Sequence, residues 1–200
     1  SREVAIVTQL TSYIRSLGYD AVGSMNDTAL AIPYAIKAGL GEYGRNQLVI
    51  TPEFGPRVRF SKIFTNIPLS PDHPIRYGIT EYCTNCTKCS DACPPKALPY
   101  GKPTFDSGNQ STIRGVKKWS ANCEKCFGYW AKIKTDCAIC MRVCPFNRDF
   151  SKLSGKIFWK LATGRLQSLA LWWEKRIGIS KQVKPDVWWR TVRPGSEVVS

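Results

Sequence analysis

The stretch CTNCTKCSDACP, residues 83–94, decides the fold of this chain. Its four cysteines have the spacing C-x2-C-x2-C-x3-C-P, and residues 126–145 carry a second run with the spacing C-x10-C-x2-C-x3-C-P. A C-x2-C-x2-C loop can supply three thiolates to a [4Fe–4S] cube, and the fourth thiolate must come from elsewhere in the fold. The sequence therefore predicts two [4Fe–4S] clusters and transfer of electrons one at a time.

The two runs are expected to share their ligands. In the bacterial two-cluster pattern, the cysteine before the proline of each run ligates the other cluster. This crossing predicts two ligand sets, which are Cys83, Cys86, Cys89 and Cys144 for the first cluster and Cys93, Cys126, Cys137 and Cys140 for the second. Cys123 is then the spare cysteine, although it could replace Cys126 as a ligand.

Other uses of the cysteines fit less well. Structural zinc sites use paired C-x2-C knuckles, often with histidine, and the single histidine of this chain is His73, in a turn-like stretch. A disulfide scaffold is also disfavoured, because all the cysteines crowd into residues 83–144 of a chain with ample apolar residues for a core.

Composition limits the class of protein. The chain has 200 residues, of which 43% are hydrophobic, so we expect one or two globular domains. No window approaches the roughly 18 consecutive apolar residues of a membrane span. The chain opens into EVAIV, residues 3–7, without a methionine or a signal peptide. We therefore expect a fragment or a processed chain.

The positive charge is concentrated in the cysteine-rich half. Residues 1–82 carry eight Lys and Arg against seven Asp and Glu, whereas residues 83–200 carry 21 against eight. Such an excess could bind nucleic acid or an anionic lipid surface, or it could offset the negative charge of the clusters. No nucleic-acid motif is present, so we expect a solvated basic face and no nucleic-acid partner.

Periodicity and turn signals predict short helices and strands outside the cysteine runs. These elements are a helix over 3–17, a strand over 19–23, a helix over 34–38, strands over 48–51 and 57–65, an ordered linker over 66–82, a polar connection over 99–119, and a helix pair broken at Gly164. The tail contains Trp188 and Trp189, and the tryptophans after residue 158 are expected to pack over the surface of the domain.

Two further motifs leave alternatives open. The glycine run GLGEYGR, residues 39–45, follows a predicted helix and not a strand, which is the wrong context for a dinucleotide-binding turn. It could bring the backbone close to a large flat ligand, or it could simply end a helix and turn. Arg57 and Arg59 share one face of the predicted strand, where they could bind an anion or lie exposed at an edge.

The motifs together resemble the corrinoid-dependent reductive dehalogenases. The resemblance rests on residues 38–45, 50–59 and 64–66, followed by both cysteine runs in the expected order, and it covers roughly residues 10–150. It implies an α+β fold in which residues 1–70 form part of a nitroreductase-like α/β layer that binds the corrinoid. Residues 71–150 would form a bacterial ferredoxin-like domain with two [4Fe–4S] clusters, and residues 151–200 a helical, Trp-rich extension.

The resemblance also implies an activity, namely removal of halide from an organohalide by electrons that pass through two clusters to a base-off cobalamin. Catalytic polar groups would be Asn26, Arg57 and Arg59. Corrinoid contacts would come from Gly39, Leu40, Gly41, Glu42, Tyr43 and Arg45. The tyrosine proton donor of the family would precede residue 1, since Tyr13 lies within the first predicted helix, and we expect this chain to be inactive alone.

The same resemblance implies partners and a location. We expect an electron donor protein or a quinone-linked chain, a small membrane-anchor subunit, and a possible homodimer. Attachment to the outer face of the cytoplasmic membrane would need a twin-arginine signal upstream of residue 1; a cytoplasmic location is the alternative. Epoxyqueuosine reductase is the competing enzyme, but it typically has tryptophan and lysine where this chain has Glu42 and Arg45. A two-cluster ferredoxin without catalytic function is the third hypothesis.

Overall fold

The computed structural model describes residues 2–25, 27–107 and 109–177, in which helices surround two short β-ribbons. The helices are α1 Arg2–Ser16, α2 Ala31–Lys37, α3 Ile79–Asn85, α4 Lys88–Ala92, α5 Cys123–Ile133, α6 Ile139–Arg142, α7 Leu153–Thr163 and α8 Gln167–Ile177. The strands are β1 Ala21–Ser24, β2 Glu42–Tyr43, β3 Val49–Ile50 and β4 Lys62–Thr65. The predicted α+β content is confirmed.

The first ribbon is antiparallel and lies against α1. Strand β1 pairs with β4, from Ala21 opposite Thr65 to Ser24 opposite Lys62. The strand expected over 57–65 is therefore wrong in its first half. Residues 57–61 are unpaired, because β1 is only four residues long and offers no partner before Lys62. Exposure still alternates there, with Arg57 and Arg59 exposed and the residues between and after them half-buried.

The second ribbon joins the N-terminal half to the cysteine-rich half. Strands β2 and β3 pair antiparallel, Glu42 with Ile50. The buried carboxylate of Glu42 accepts hydrogen bonds from the backbone N–H groups of Tyr77, at 3.0 Å, and Ile79, at 2.7 Å. Both N–H groups lie where α3 begins, and the N–H groups at the start of a helix have no acceptor within the helix itself. The linker expected over 66–82 therefore ends at Gly78, and a helix begins at Ile79.

The core lies between the ribbon β2–β3 and the helices α3, α7 and α8. Phe146 and Phe158 are fully buried at its centre, 6.1 Å apart between ring centroids and edge to face, and Tyr82 packs against both. The predicted break at Gly164 is confirmed by the gap between α7 and α8. Trp159 packs on Phe146, whereas Trp172 is 55% exposed. Trp188 and Trp189 lie outside the described residues.

No helix in the described ranges is both long enough and apolar enough to span a membrane. Helix α1 nevertheless exposes several apolar side chains: only Thr11 of this helix is buried, and Ile6, Leu10 and Tyr13 are each about half exposed. The helix itself agrees with the prediction for residues 3–17, but its apolar residues contact the rest of the described chain only in part.

Phe158→Ala should lower the free energy of unfolding by about 3–5 kcal/mol, because a fully buried phenyl ring leaves a cavity when it is truncated. Leu166→Ala is the control: Leu166 is 57% exposed, and its truncation should change stability by about 0.5 kcal/mol or less. Denaturant unfolding of the two variants measures both values. Equal effects would contradict the assignment of Phe158 to the core.

Candidate cluster-binding site

Four cysteines line one cavity, called here the first cavity. Cys83 lies in α3, Cys86 directly follows α3, Cys89 lies in α4 and Cys144 follows α6. All four are buried, with 6–8% of each residue exposed. Ile50 and Phe146 complete the wall of this cavity on the side of the core. Thiols from three helical segments thus converge on a dry space.

Four other cysteines line a second, more open cavity. Cys93 directly follows α4, Cys126 lies in α5, Cys137 precedes α6 and Cys140 lies in α6. Cys93 is buried and the other three are half-buried. The backbone N–H of Ala97 donates a hydrogen bond to the Cys93 sulfur at 3.3 Å. The second cavity is the closer of the two to solvent.

Burial raises the pKa of these thiols. The pKa of Cys89 rises to about 12 and that of Cys140 to about 11, in both cases chiefly through desolvation. Burial also raises the pKa of Cys83 and that of Cys144 well above the usual value. Thiols of this kind keep their protons until a positively charged group binds, so iron binding must displace protons from the site.

The donor set fits two [4Fe–4S] cubes. The first cavity presents four thiols, three from the first cysteine run and one from the second, and the four predicted ligands at the second cavity are three from the second run and one from the first. In the described parts of the chain, no three His, Cys, Asp or Glu side chains converge closely enough to hold a single metal ion. Cys123 also borders the second cavity, but its sulfur lies 3.7 Å from the Thr112 hydroxyl and 3.8 Å from the Ala121 carbonyl oxygen. Its place as the spare stays a prediction.

Arg45 holds the loop of the first cysteine run. Its side chain is 1% exposed and donates to the carbonyl oxygens of Cys83, Thr84, Cys86 and Pro99, at 2.8–3.2 Å. The guanidinium carbon lies 5.1 Å from the centre of the Trp119 ring. A guanidinium group carries five donors in a fixed plane, which suits several carbonyl groups converging on one point. The sequence placed Arg45 by the corrinoid; in the structure its side chain points to the cysteine loop.

The rest of the glycine run also has partners within the chain. Gly39, with a φ of 68°, ends α2: its N–H donates to the carbonyl of Ile36, and the N–H of Leu40 donates to that of Ala35. This is the helix-ending arrangement that favours glycine. A Cβ on Gly41 would lie 2.4 Å from the Ile50 carbonyl oxygen. The run therefore ends a helix and turns, and an approach of its backbone to a large flat ligand stays a prediction.

The polar side chains of this run face the cysteine-rich half. The Tyr43 hydroxyl donates a hydrogen bond to the Trp119 carbonyl at 3.3 Å. The Glu42 carboxylate accepts a hydrogen bond from the Tyr77 N–H, just before α3. Leu40 is 48% exposed. Contact of these residues with a corrinoid stays a prediction, but Glu42, Tyr43 and Arg45 do not present free polar groups to one.

Arg57 and Arg59, two of the predicted catalytic groups, contact different parts of the chain. Arg59 has an 86% exposed side chain, and its guanidinium lies 3.9 Å from the Glu3 carboxylate. Arg57 is exposed and donates to the carbonyl oxygens of Phe54 and Arg148. Asn26 lies outside the described residues. A role for these residues beside a substrate or halide stays a prediction.

One buried charge cluster was missed by sequence reasoning. Glu174 of α8 is 2% exposed and forms ion pairs with Lys88, in the loop of the first cysteine run, and with Arg148. It attaches the C-terminal helix to the first cavity. Glu174 lies 86 residues from Lys88 in the sequence, and no local pattern connects the two.

Comparisons with known proteins agree with this site. Residues 82–147 match the family model of the 4Fe-4S double cluster binding domain. Both cysteine runs lie within that range, so this part of the chain is similar to domains that bind two [4Fe–4S] clusters.

Longer proteins match most of the chain. The chain is 38% identical over 181 residues to the tetrachloroethene reductive dehalogenase of Sulfurospirillum multivorans, covering 90% of this chain and 36% of that protein. A solved reductive dehalogenase, described with a mechanism for B12-dependent dehalogenation, superposes with a TM-score of 0.74 at 27% identity. That match covers 86% of this chain and 25% of the solved one. The chain is thus a relative of the reductive dehalogenases and spans about a third of the length of the curated ones.

A second family is also related. The chain is 34% identical over 137 residues to the epoxyqueuosine reductase of Lactococcus garvieae, covering 64% of this chain and 35% of that protein. The predicted resemblance to reductive dehalogenases, with epoxyqueuosine reductase as a related enzyme, is confirmed.

Arg45→Met should destabilise the protein by several kcal/mol, because each buried carbonyl left without a donor costs roughly 1–3 kcal/mol. The loop of the first cysteine run should also loosen, so iron retained after gel filtration should fall. Arg114→Met, at an exposed position, is the charge-matched control and should leave both measurements unchanged. Full iron content and unchanged unfolding in Arg45→Met would show that the loop does not depend on this side chain.

Proposed function

We propose that this chain is the electron-delivering portion of a reductive dehalogenase, which uses two [4Fe–4S] clusters and a cobalamin to remove halide from an organohalide. The observation that carries the proposal is the match to tetrachloroethene reductive dehalogenase over 90% of the chain. The crossed grouping of the eight cysteines around two cavities supports it. The ligand sets of the proposal are those expected from the spacing.

The overall reaction consumes two electrons and one proton. The carbon–halogen bond breaks, a carbon–hydrogen bond forms, and the halogen leaves as halide. When bound, [4Fe–4S] clusters accept and release electrons singly, and a corrinoid supplies a reductant for the carbon–halogen bond. The two electrons arrive one at a time, supplied by an electron donor protein or a quinone-linked chain.

The chain's own residues have three tasks in this proposal. The cysteines hold the two clusters, each as a set of four thiolates. Arg45 fixes the carbonyl groups of the first cysteine loop and places a positive charge beside the first cavity. Tyr82 and Phe146 line that cavity, and Phe158 packs against both rings. A positive charge near a cluster stabilises its reduced, more negative state, and this effect is larger in a dry site than in water.

The N-terminal half is proposed to contribute part of a nitroreductase-like layer. The solved relative described with B12-dependent dehalogenation supports a corrinoid. The side chains of Glu42, Tyr43 and Arg45 already have hydrogen-bond partners within the chain. Arg57, Arg59 and Asn26 remain the proposed groups on the substrate and halide side.

The setting of the enzyme is part of the same proposal. A membrane-associated location, a small membrane-anchor subunit, a twin-arginine signal and a possible homodimer follow from the resemblance to the family. The activity of the protein at its full length distinguishes this proposal from its competitors.

The purified full-length protein, reduced anaerobically with titanium(III) citrate and supplied with cobalamin, should release chloride from a chlorinated alkene. It should not convert epoxyqueuosine in tRNA. Chloride release is measured by ion chromatography, and the nucleoside by mass spectrometry. Conversion of the nucleoside alone would establish epoxyqueuosine reductase, whereas neither activity from a protein with both clusters would favour the ferredoxin hypothesis.

Cys144→Ala should remove one cluster, so the iron content should fall from about eight to about four atoms per chain. Cys126→Ala should have the same effect on the other cluster, and Cys123→Ala, three residues away on the same helix, should retain about eight. Iron and acid-labile sulfide report the loss, and EPR of the reduced protein reports which signal disappears. Loss of iron in Cys123→Ala but not in Cys126→Ala would reverse the two assignments.

A further inference from the structure

Buried polar atoms without partners gather at the cysteine cavities. Among the described residues, four side-chain atoms are buried without a hydrogen-bond partner: Thr11 Oγ1, Asn46 Nδ2, Gln47 Nε2 and Tyr82 Oη. The last three belong to residues that line the first cavity, the second cavity or both. A buried donor without a partner costs roughly 1–3 kcal/mol. Three such donors around two cavities therefore indicate acceptors that belong inside those cavities.

Asn46 lies between the two cavities and lines both. The residue is 6% exposed. Its Oδ1 accepts a hydrogen bond from the backbone N–H of Leu48 at 3.2 Å. This bond fixes the orientation of the amide, because a flipped side chain would set its NH2 group against another donor. The free end of Asn46 is therefore the NH2 group, which can only donate.

Tyr82 supplies the second donor. It is 0% exposed, lines the first cavity, and lies against Phe146 and Phe158, which offer no acceptor to its hydroxyl group. A phenylalanine at this position would fill the same space without the unpaired hydroxyl. The packing of the core therefore does not account for the tyrosine.

We propose that Tyr82 Oη and Asn46 Nδ2 donate hydrogen bonds to the sulfur atoms of the bound clusters and thereby raise their reduction potentials. Tyr82 serves the cluster of the first cavity, and Asn46 serves both. This inference rests on the proposed cluster sites. Reduction adds negative charge to a cluster, and hydrogen bonds to its sulfur atoms stabilise that charge. Both residues are positioning residues that set the energy of electron transfer and do not touch the substrate.

Tyr82→Phe tests the inference with little change in volume. The reduction potential of one cluster should become more negative, with a tenfold change in its reduction equilibrium corresponding to about 59 mV. The other cluster should be unaffected. Tyr77→Phe is the matched control, because the Tyr77 hydroxyl donates to the Gly39 carbonyl at 2.9 Å and not to a cavity. Potentials are measured by EPR-monitored reductive titration.

Asn46→Leu removes the second donor without adding charge, and it should shift both clusters to more negative potentials. A second measurement does not depend on folding of the variants: electron–nuclear double resonance of the reduced wild-type protein should detect proton couplings at the clusters that vanish in D2O. Unchanged potentials in both variants, or no exchangeable coupling in the wild type, would overturn the inference. Failure of the wild type to bind about eight irons would instead overturn the proposed cluster sites.

Discussion

The buried guanidinium group of Arg45 is the interaction on which the rest of the structure depends. It comes from the turn after β2 and reaches four carbonyl oxygens of the cysteine-rich half. Carbonyl groups in a tight loop cannot all find partners within that loop, and leaving them unpaired in a dry interior is costly. Arg45 satisfies them together and brings a positive charge to a site that is proposed to hold negatively charged clusters. The first cavity is therefore built by both halves of the chain.

Two buried carboxylates, Glu42 and Glu174, also connect distant segments of the chain near the first cavity. Glu42, next to the turn, accepts from the first backbone N–H groups of α3, which carries Cys83. Glu174, at the far end of the described chain, forms ion pairs with Lys88, which lies between Cys86 and Cys89, and with Arg148, which follows Cys144. A buried carboxylate is tolerated only when its charge is compensated, so each fixes the elements that it contacts. The segments around the first cavity are therefore held both by the ribbon β2–β3 and by helix α8.

The two cavities differ in their surroundings. Aromatic rings of the main core close the first, whereas the second is bordered by α5, whose Phe127 is 70% exposed. Solvent exposure is one of the factors that set the reduction potential of a cluster. Two clusters in such different surroundings would have different potentials, and the donor Tyr82, which lines only the first cavity, would act on one of them alone.

The sequence by itself determined the chemistry, because cysteine spacing is a local property that a short loop translates directly into converging thiols. It also determined α1, the break between α7 and α8 and the resemblance to the reductive dehalogenases. It overestimated the strand before Lys62, since pairing depends on the length of a partner 40 residues away. It could not show that the side chain of Arg45 is buried, because an arginine looks the same in the sequence whether it is buried or exposed. Only the tertiary structure decided which polar side chains turn inward to the cysteine loops and which, like Arg59, stay at the surface. The reason is that burial and hydrogen-bond partners arise from contacts between segments far apart in the chain.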